Sequence, residues 1–201
     1  NKLNLTEFLP NHWGYQMAAR KVFPGANYKM IDNLFDYASA EGEVTDLDIV
    51  DRVGEISLDA AFLFEALDRS PDPTVLLERV KHALKPGGLC FITCLLSSGF
   101  EVKMLGEESE IFVPPERMNL FAFEGMLDLI KQTGGLDVLE FSTPGVLDIA
   151  NVIKKLDQIE NASFSTYILS LRQEPMLIES FQDFLQLNRL GTFGRLVLRK
   201  L

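Results

Sequence analysis

"LDAAFLFEALDRSPDPTVLLERVKHALKPGGLCFITC", residues 58–94, decides the fold. It opens with "LDAAFLF", Leu58 to Phe64, an apolar run of strand length that reads as a buried strand. Pro73 then stands at the head of "PTVLLERVKHAL", an amphipathic helical pattern, and "KPGG" stops it. "GLCFITCLL" follows, apolar on both faces as a parallel strand covered by helices must be. Strand, helix and strand in this order make a βαβ unit. The double glycine has a local reason: the chain reverses into the second strand through positive φ, which glycine adopts freely.

The same alternation continues outward on both sides. Toward the N-terminus, Asn4 to Leu9 is a strand broken by Pro10 and Asn11, and the helix Gly14 to Val22 ends at "FPGA". "NYKMID" is a second strand ending in Asp32, "NLFDYASAEG" is a helix closed by Gly42, and Val44 to Val50 is a weaker strand. Toward the C-terminus come a helix over "FEGMLDLIKQTG", a strand "DVLEFST", helical segments from Leu147 to Leu187 and a last strand "GRLVLRKL". The expected fold is α/β: a Rossmann-like, doubly wound, mostly parallel seven-stranded sheet with helices on both faces. At 201 residues and 47% hydrophobic content, without repeat or linker, residues 1–201 form a single domain. Residues 143–190 exceed a plain crossover and read as a helical insertion, either a lid or a homodimer contact. Phe164, Tyr167, Ile168 and Leu171, at helical spacing within it, read first as core packing.

A formal net charge of −10 argues against nucleic acid or an anionic membrane as partner. No apolar run approaches the ~18 residues of a membrane helix, and no secretory leader is visible, so a cytoplasmic location is expected. The chain begins at Asn1 rather than Met, as a processed or trimmed chain does. Cys90 and Cys94 fall on one face of a strand with Cα atoms roughly 13 Å apart, too far for a disulfide, and read as buried thiols. His12 and His82 lack partners at ligand spacing, so no metal is expected.

In an open parallel sheet the ligand lies at the carboxyl ends of the strands, beside the first. Three loops should line that site: Leu9 to Tyr15, Asp32 with Asn33, and Phe64 to Arg69. Asp32 lies 18 residues beyond Gly14, close to the ~20-residue interval at which a carboxylate accepts hydrogen bonds from a ribose diol; a solvated strand-end Asp is the alternative.

The opening stretch, with Asp59 at the head of its strand, "DP" before its helix and "LKPGG" before the next strand, resembles the middle of class I S-adenosylmethionine-dependent methyltransferases. "FVPPERMNLFAFEGMLDLIKQTGGLDVLEFSTPGVLDIANVIKK" and "ESFQDFLQLNRLGTFGRLVLRK" resemble a bacterial branch of that superfamily associated with surface-polysaccharide gene clusters. The resemblance spans roughly residues 22–201. It implies methyl transfer from S-adenosylmethionine to a small polar acceptor, a sugar or sugar nucleotide. It places Asp32, beside Asn33, at the ribose, Phe64 and Glu65 along the adenine and methionine flank, Gly14 at the methionine end and Asp48 near the adenine. The segment carrying Arg117 and Asn119 after a double proline would lie over the open end of the sheet, with Arg69 also on the acceptor side; a surface arginine and a turn-capping asparagine are the plainer readings.

Three departures accompany the resemblance. The family carries an acidic residue and then GxGxG after the first strand; with Glu7 in the acidic place, Leu9, Asn11 and Trp13 stand where glycines belong, and a shift of one residue recovers only Gly14. Asp68 and Arg69 replace a common Glu-His pair, and "LGTFG" replaces a stretch with serine and histidine. No residue stands out as a catalytic base. Two further readings stand beside the enzyme: a methyltransferase-like domain that has lost its cofactor and serves as a binding or assembly module, and a nicotinamide nucleotide in the same crevice.

Overall fold

The computed structural model describes residues 2–10, 14–31, 57–159 and 162–201. Six strands form one sheet in the order β2-β1-β3-β4-β6-β5. They are β1 Asn4–Phe8, β2 Asn27–Ile31, β3 Leu58–Phe64, β4 Leu84–Leu95, β5 Leu136–Ser142 and β6 Phe193–Lys200. β1 runs parallel to both β2 and β3, and β3 runs parallel to β4. β6 is antiparallel to its two neighbours, β4 and β5. Among the described residues there are thus six strands rather than the seven expected; the weak strand over Val44–Val50 lies outside them.

The helices are α1 Gly14–Val22, α2 Ala66–Arg69, α3 Pro73–Ala83, α4 Phe100–Leu105, α5 Phe123–Thr133, α6 Asp148–Lys154, α7 Ala162–Arg172 and α8 Pro175–Leu187. Local chemistry fixes the first turn of α3: the Asp72 side chain accepts from Val75 N at 3.0 Å, and Pro73 needs no donor there. Its apolar stripe, Leu76, Leu77, Val80 and Ala83, packs with Met126, Leu129 and Ile130 of α5 against one face of the sheet, where Ala61, Leu63, Cys90, Ile92, Leu196 and Leu198 are buried. The opposite face gathers Leu5, Ala60 and Phe62, with Tyr28, Phe64, Leu89 and Phe91 beside them.

Between α3 and the paired part of β4 the register slips, so that Leu58 pairs with Leu84 but Ala60 with Leu89. Lys85 to Gly88 bulge out in the gap. Gly87 has φ +77°, and a Cβ on Gly88 would come within 2.9 Å of Lys85 O, so each glycine answers a separate demand.

Residues 147–187 supply α6, α7 and α8, which with α4 enclose a second apolar cluster: Leu105, Val152, Ile168 and Leu171 are buried, with Phe100, Phe164 and Phe181 against them. Phe164, Ile168 and Leu171 therefore pack as the helical spacing implies, while Tyr167 is 52% exposed. Asp148 ties this layer to the sheet: it is buried, accepting from Thr192 N at 2.6 Å through Oδ1 and from Gln182 Nε2 at 3.0 Å through Oδ2. Cys90 and Cys94 are free, buried thiols, and burial pushes that of Cys90 up to about 12. No helix among the described residues is long and apolar enough to cross a membrane.

Candidate functional site

The sheet reverses its winding between β1 and β3, and the carboxyl ends of these strands, with that of β4, form the switch point at which an open α/β sheet has its binding crevice. Each of the first two ends in a turn of the same unusual kind. Leu9, just after β1, has φ +50°, and Glu65, just after β3, has φ +53°. Leu9 N donates to Ile31 O at 2.9 Å, and Glu65 N donates to Thr93 O at 2.8 Å. The Leu9 side chain is only 1% exposed and belongs to the core cluster with Phe8 and Leu63. The bulk that displaces glycine from this position thus packs into the core.

α2 and the strap 113–119 complete the site. Arg117 donates through Nη2 to Glu65 Oε2 at 2.7 Å and through Nη1 to Asp68 Oδ2 at 3.2 Å. Leu95 N also donates to Asp68 Oδ2, at 3.0 Å. The Asp68 carbonyl accepts from the backbone N–H groups of Met118 and Asn119, both at 2.9 Å. Asn119 Nδ2 donates to Leu67 O at 3.1 Å and Ser70 O at 2.6 Å, closing the strap over α2. The strap contains a cis peptide between Pro114 and Pro115.

Asp68 is fully buried, and its Oδ1 has no hydrogen-bond partner among the described residues. Burial pushes its carboxyl up to about 7, outweighing the Leu95 N–H and the Arg117 charge, which act the other way; Glu65 adds a smaller upward push. Burial and the nearby Asp68 and Glu65 carboxylates likewise hold the Cys94 thiol well above its ordinary value. Arg69 donates through Nε to Glu65 O at 3.1 Å and through Nη2 to Leu9 O. Burial is the main cause that lowers its guanidinium from the ordinary arginine value.

The remaining sequence-selected residues fall into three groups. Glu7 is fully buried on β1 and accepts from the Tyr28 hydroxyl, which burial and this carboxylate hold above its ordinary value. Phe64 is half-buried at the end of β3, its ring 5.5 Å from that of Phe62, and Gly14 opens α1. Asp32, Asn33 and Asp48 lie outside the described residues. Glu65, Arg69, Arg117 and Asn119 are brought together around α2. Asp68, the hub of the cluster, was visible in the sequence only as half of an altered Glu-His pair; no local pattern marks a carboxyl that closes a contact with Arg117, 49 residues on.

A methyl-donor nucleotide fits the donor set of this crevice. Asp68 Oδ1 and Arg117 Nε are buried polar atoms without a hydrogen-bond partner among the described residues, so bonding capacity is left for a polar group beside them. The turn after β1 also takes the backbone form that glycine would supply.

No family model matches the chain, and no curated protein matches it. Solved structures do. A sarcosine dimethylglycine methyltransferase from Galdieria sulphuraria, so described provisionally, is 16% identical, with 100% of this chain and 79% of that one covered and a TM-score of 0.55. The phosphoethanolamine N-methyltransferase 2 of Haemonchus contortus, in complex with S-adenosylmethionine, is 16% identical, with 100% and 49% covered and a TM-score of 0.58. The [4+2]-cyclase SpnF is 13% identical, with 100% and 76% covered and a TM-score of 0.54. The cyclase shows that this architecture does not fix one reaction. Sheet order, crevice and neighbours agree on one conclusion: the chain has the α/β fold of the class I S-adenosylmethionine-dependent methyltransferases.

Proposed function

We propose that the protein binds S-adenosylmethionine in the crevice between β1 and β3 and directs its methyl group to a small polar acceptor, a sugar or sugar nucleotide. The observation that carries this reading is the Glu65–Asp68–Arg117 cluster around the buried Asp68 at the carboxyl ends of β3 and β4, which keeps polar atoms without partners among the described residues. The methyltransferase neighbours support the cofactor. The resemblance of residues 112–155 and 179–200 to a polysaccharide-associated bacterial branch supports the acceptor class.

The cofactor's sulfonium supplies an activated methyl group, so the protein's tasks are alignment and exclusion of water. Asp32 and Asn33 would hold the ribose, Asp48 would stand near the adenine, Phe64 and Glu65 would flank the nucleoside, and Glu7 with the turn leading to Gly14 would stand at the methionine end. Arg117 and Asn119 on the strap, with Asp68 beneath it, would face the acceptor. Asp68, fully buried beneath the strap, would hold Arg117 in place rather than touch the acceptor.

Calorimetric titration with S-adenosylmethionine and S-adenosylhomocysteine tests the reading. Micromolar binding is expected, weakened by Asp32→Ala by about 1–3 kcal/mol as charge-assisted hydrogen bonds are lost. No binding at millimolar ligand by folded protein would overturn it and leave a methyltransferase-like domain that works as a binding or assembly module.

A further inference from the structure

Left-handed backbone at a residue with a side chain is costly and persists where the surroundings over-determine it. The crevice has two such residues, Leu9 and Glu65, one just after each of the strands β1 and β3. One side chain reaches both. Arg69, only 9% exposed on α2, donates through Nη2 to the carbonyl of Leu9 and through Nε to the carbonyl of Glu65. The second contact spans four residues and is local; the first spans 60 and joins separate strands.

We propose that Arg69 is a positioning residue of the cofactor crevice: its guanidinium holds the Leu9 turn in the form glycine would adopt unaided, and fixes that turn against the Glu65 turn across the mouth. This inference rests on the reading that the crevice takes S-adenosylmethionine. Arginine suits the task because its planar group offers donors in a fixed fork, so two carbonyls on different strands are engaged from one rigid plane. Lysine's three donors radiate from one nitrogen, so it cannot reach both carbonyls from separate atoms of one rigid plane. The missing glycine and the added arginine then have one common explanation, since Leu9 gains core packing while Arg69 holds the backbone form that glycine would otherwise provide.

The test combines hydrogen exchange at the Leu9 amide, which is bonded to Ile31 O, with titration by S-adenosylhomocysteine. In Arg69→Gln, exchange at Leu9 should accelerate about tenfold while β4 keeps its protection, and affinity should fall about tenfold or more. Adding Leu9→Gly should restore both in part, because glycine needs no external hold. Adding Leu9→Ala, which deletes the same packing but keeps Cβ, should restore neither. Unchanged exchange at Leu9 in Arg69→Gln, or equal restoration by glycine and alanine, overturns the proposal. If Arg69→Gln fails to fold, Arg69→Lys is read in the same way, since it retains the charge but replaces the fork by a single nitrogen. If the parent binds no S-adenosylhomocysteine, the functional reading fails, and the exchange results still decide the role of Arg69.

Discussion

Asp68 shows how one residue links the packing of the site to its chemistry. It is wholly buried, anchors the strap through its carbonyl and holds Arg117 and Leu95 N through one oxygen. Because burial raises its carboxyl from the usual value of about 4 to about 7, the folded state binds a proton more readily than the unfolded chain across that interval. The sign is therefore opposite to that of a salt-bridged surface carboxylate. Asp68's contribution is fully favourable below about pH 4, declines as pH rises and levels off above about 7. Denaturant unfolding from pH 4 to 8 should show this as a falling difference between the parent and Asp68→Asn. Arg117→Met removes a charge that draws the carboxyl down, so the interval should extend above pH 7 in that variant; an interval that stays in place would mean Arg117 exerts little field on Asp68. Asp68 was within reach of sequence reading only as half of an altered Glu-His pair. Its burial was not, because that depends on the distant strap.

At the scale of elements, legibility followed the range of the interactions that define each one. Helix α3 is set by Asp72, Pro73 and an apolar stripe, all within its own span, and its position matched the sequence pattern. The bulge within β4 was legible for the same reason: it is built on Gly87 and Gly88. The left-handed turn at Glu65 gave no such signal, since a glutamate is not a residue that marks positive φ. The strap was legible only as a proline-stiffened segment, because its anchors are carbonyls 49 to 52 residues away in the chain. The two glycines can be told apart by experiment. Gly87→Ala meets open space but positive φ, and should cost about 1 kcal/mol in unfolding free energy. Gly88→Ala forces a methyl to within 2.9 Å of one backbone oxygen and 3.2 Å of another, and should cost more, about 2 kcal/mol or above. A reversal of that order in chemical denaturation would mean the bulge relaxes more easily than its packing implies.

Across the whole molecule, the sheet and the helical layer of α4, α6, α7 and α8 have separate apolar cores, and polar contacts join them. Alternating strands and helices revealed the sheet, because parallel strands need covered faces and crossovers; the reversed β6 pairs with β4 and β5 by register that no local pattern announces. The joint between the layers was equally hidden. Asp148 accepts from Thr192 N at the entrance to β6 and from Gln182 of α8, whose Oε1 accepts in turn from Ile149 N. "LGTFG" thus has a structural reason in this chain: Thr192 supplies the backbone donor, and a Cβ on the facing Gly99 would lie 2.4 Å from Thr192 Cα. Removing the carboxylate leaves buried donors unpaired, at about 1–3 kcal/mol each, and the loss falls on the joint rather than on either core. Asp148→Ala should therefore speed amide exchange in α6 and α8 about tenfold or more while β3 and β4 keep theirs. Uniform acceleration across both layers would instead mean that sheet and helices open as one cooperative unit, with Asp148 stabilising the whole.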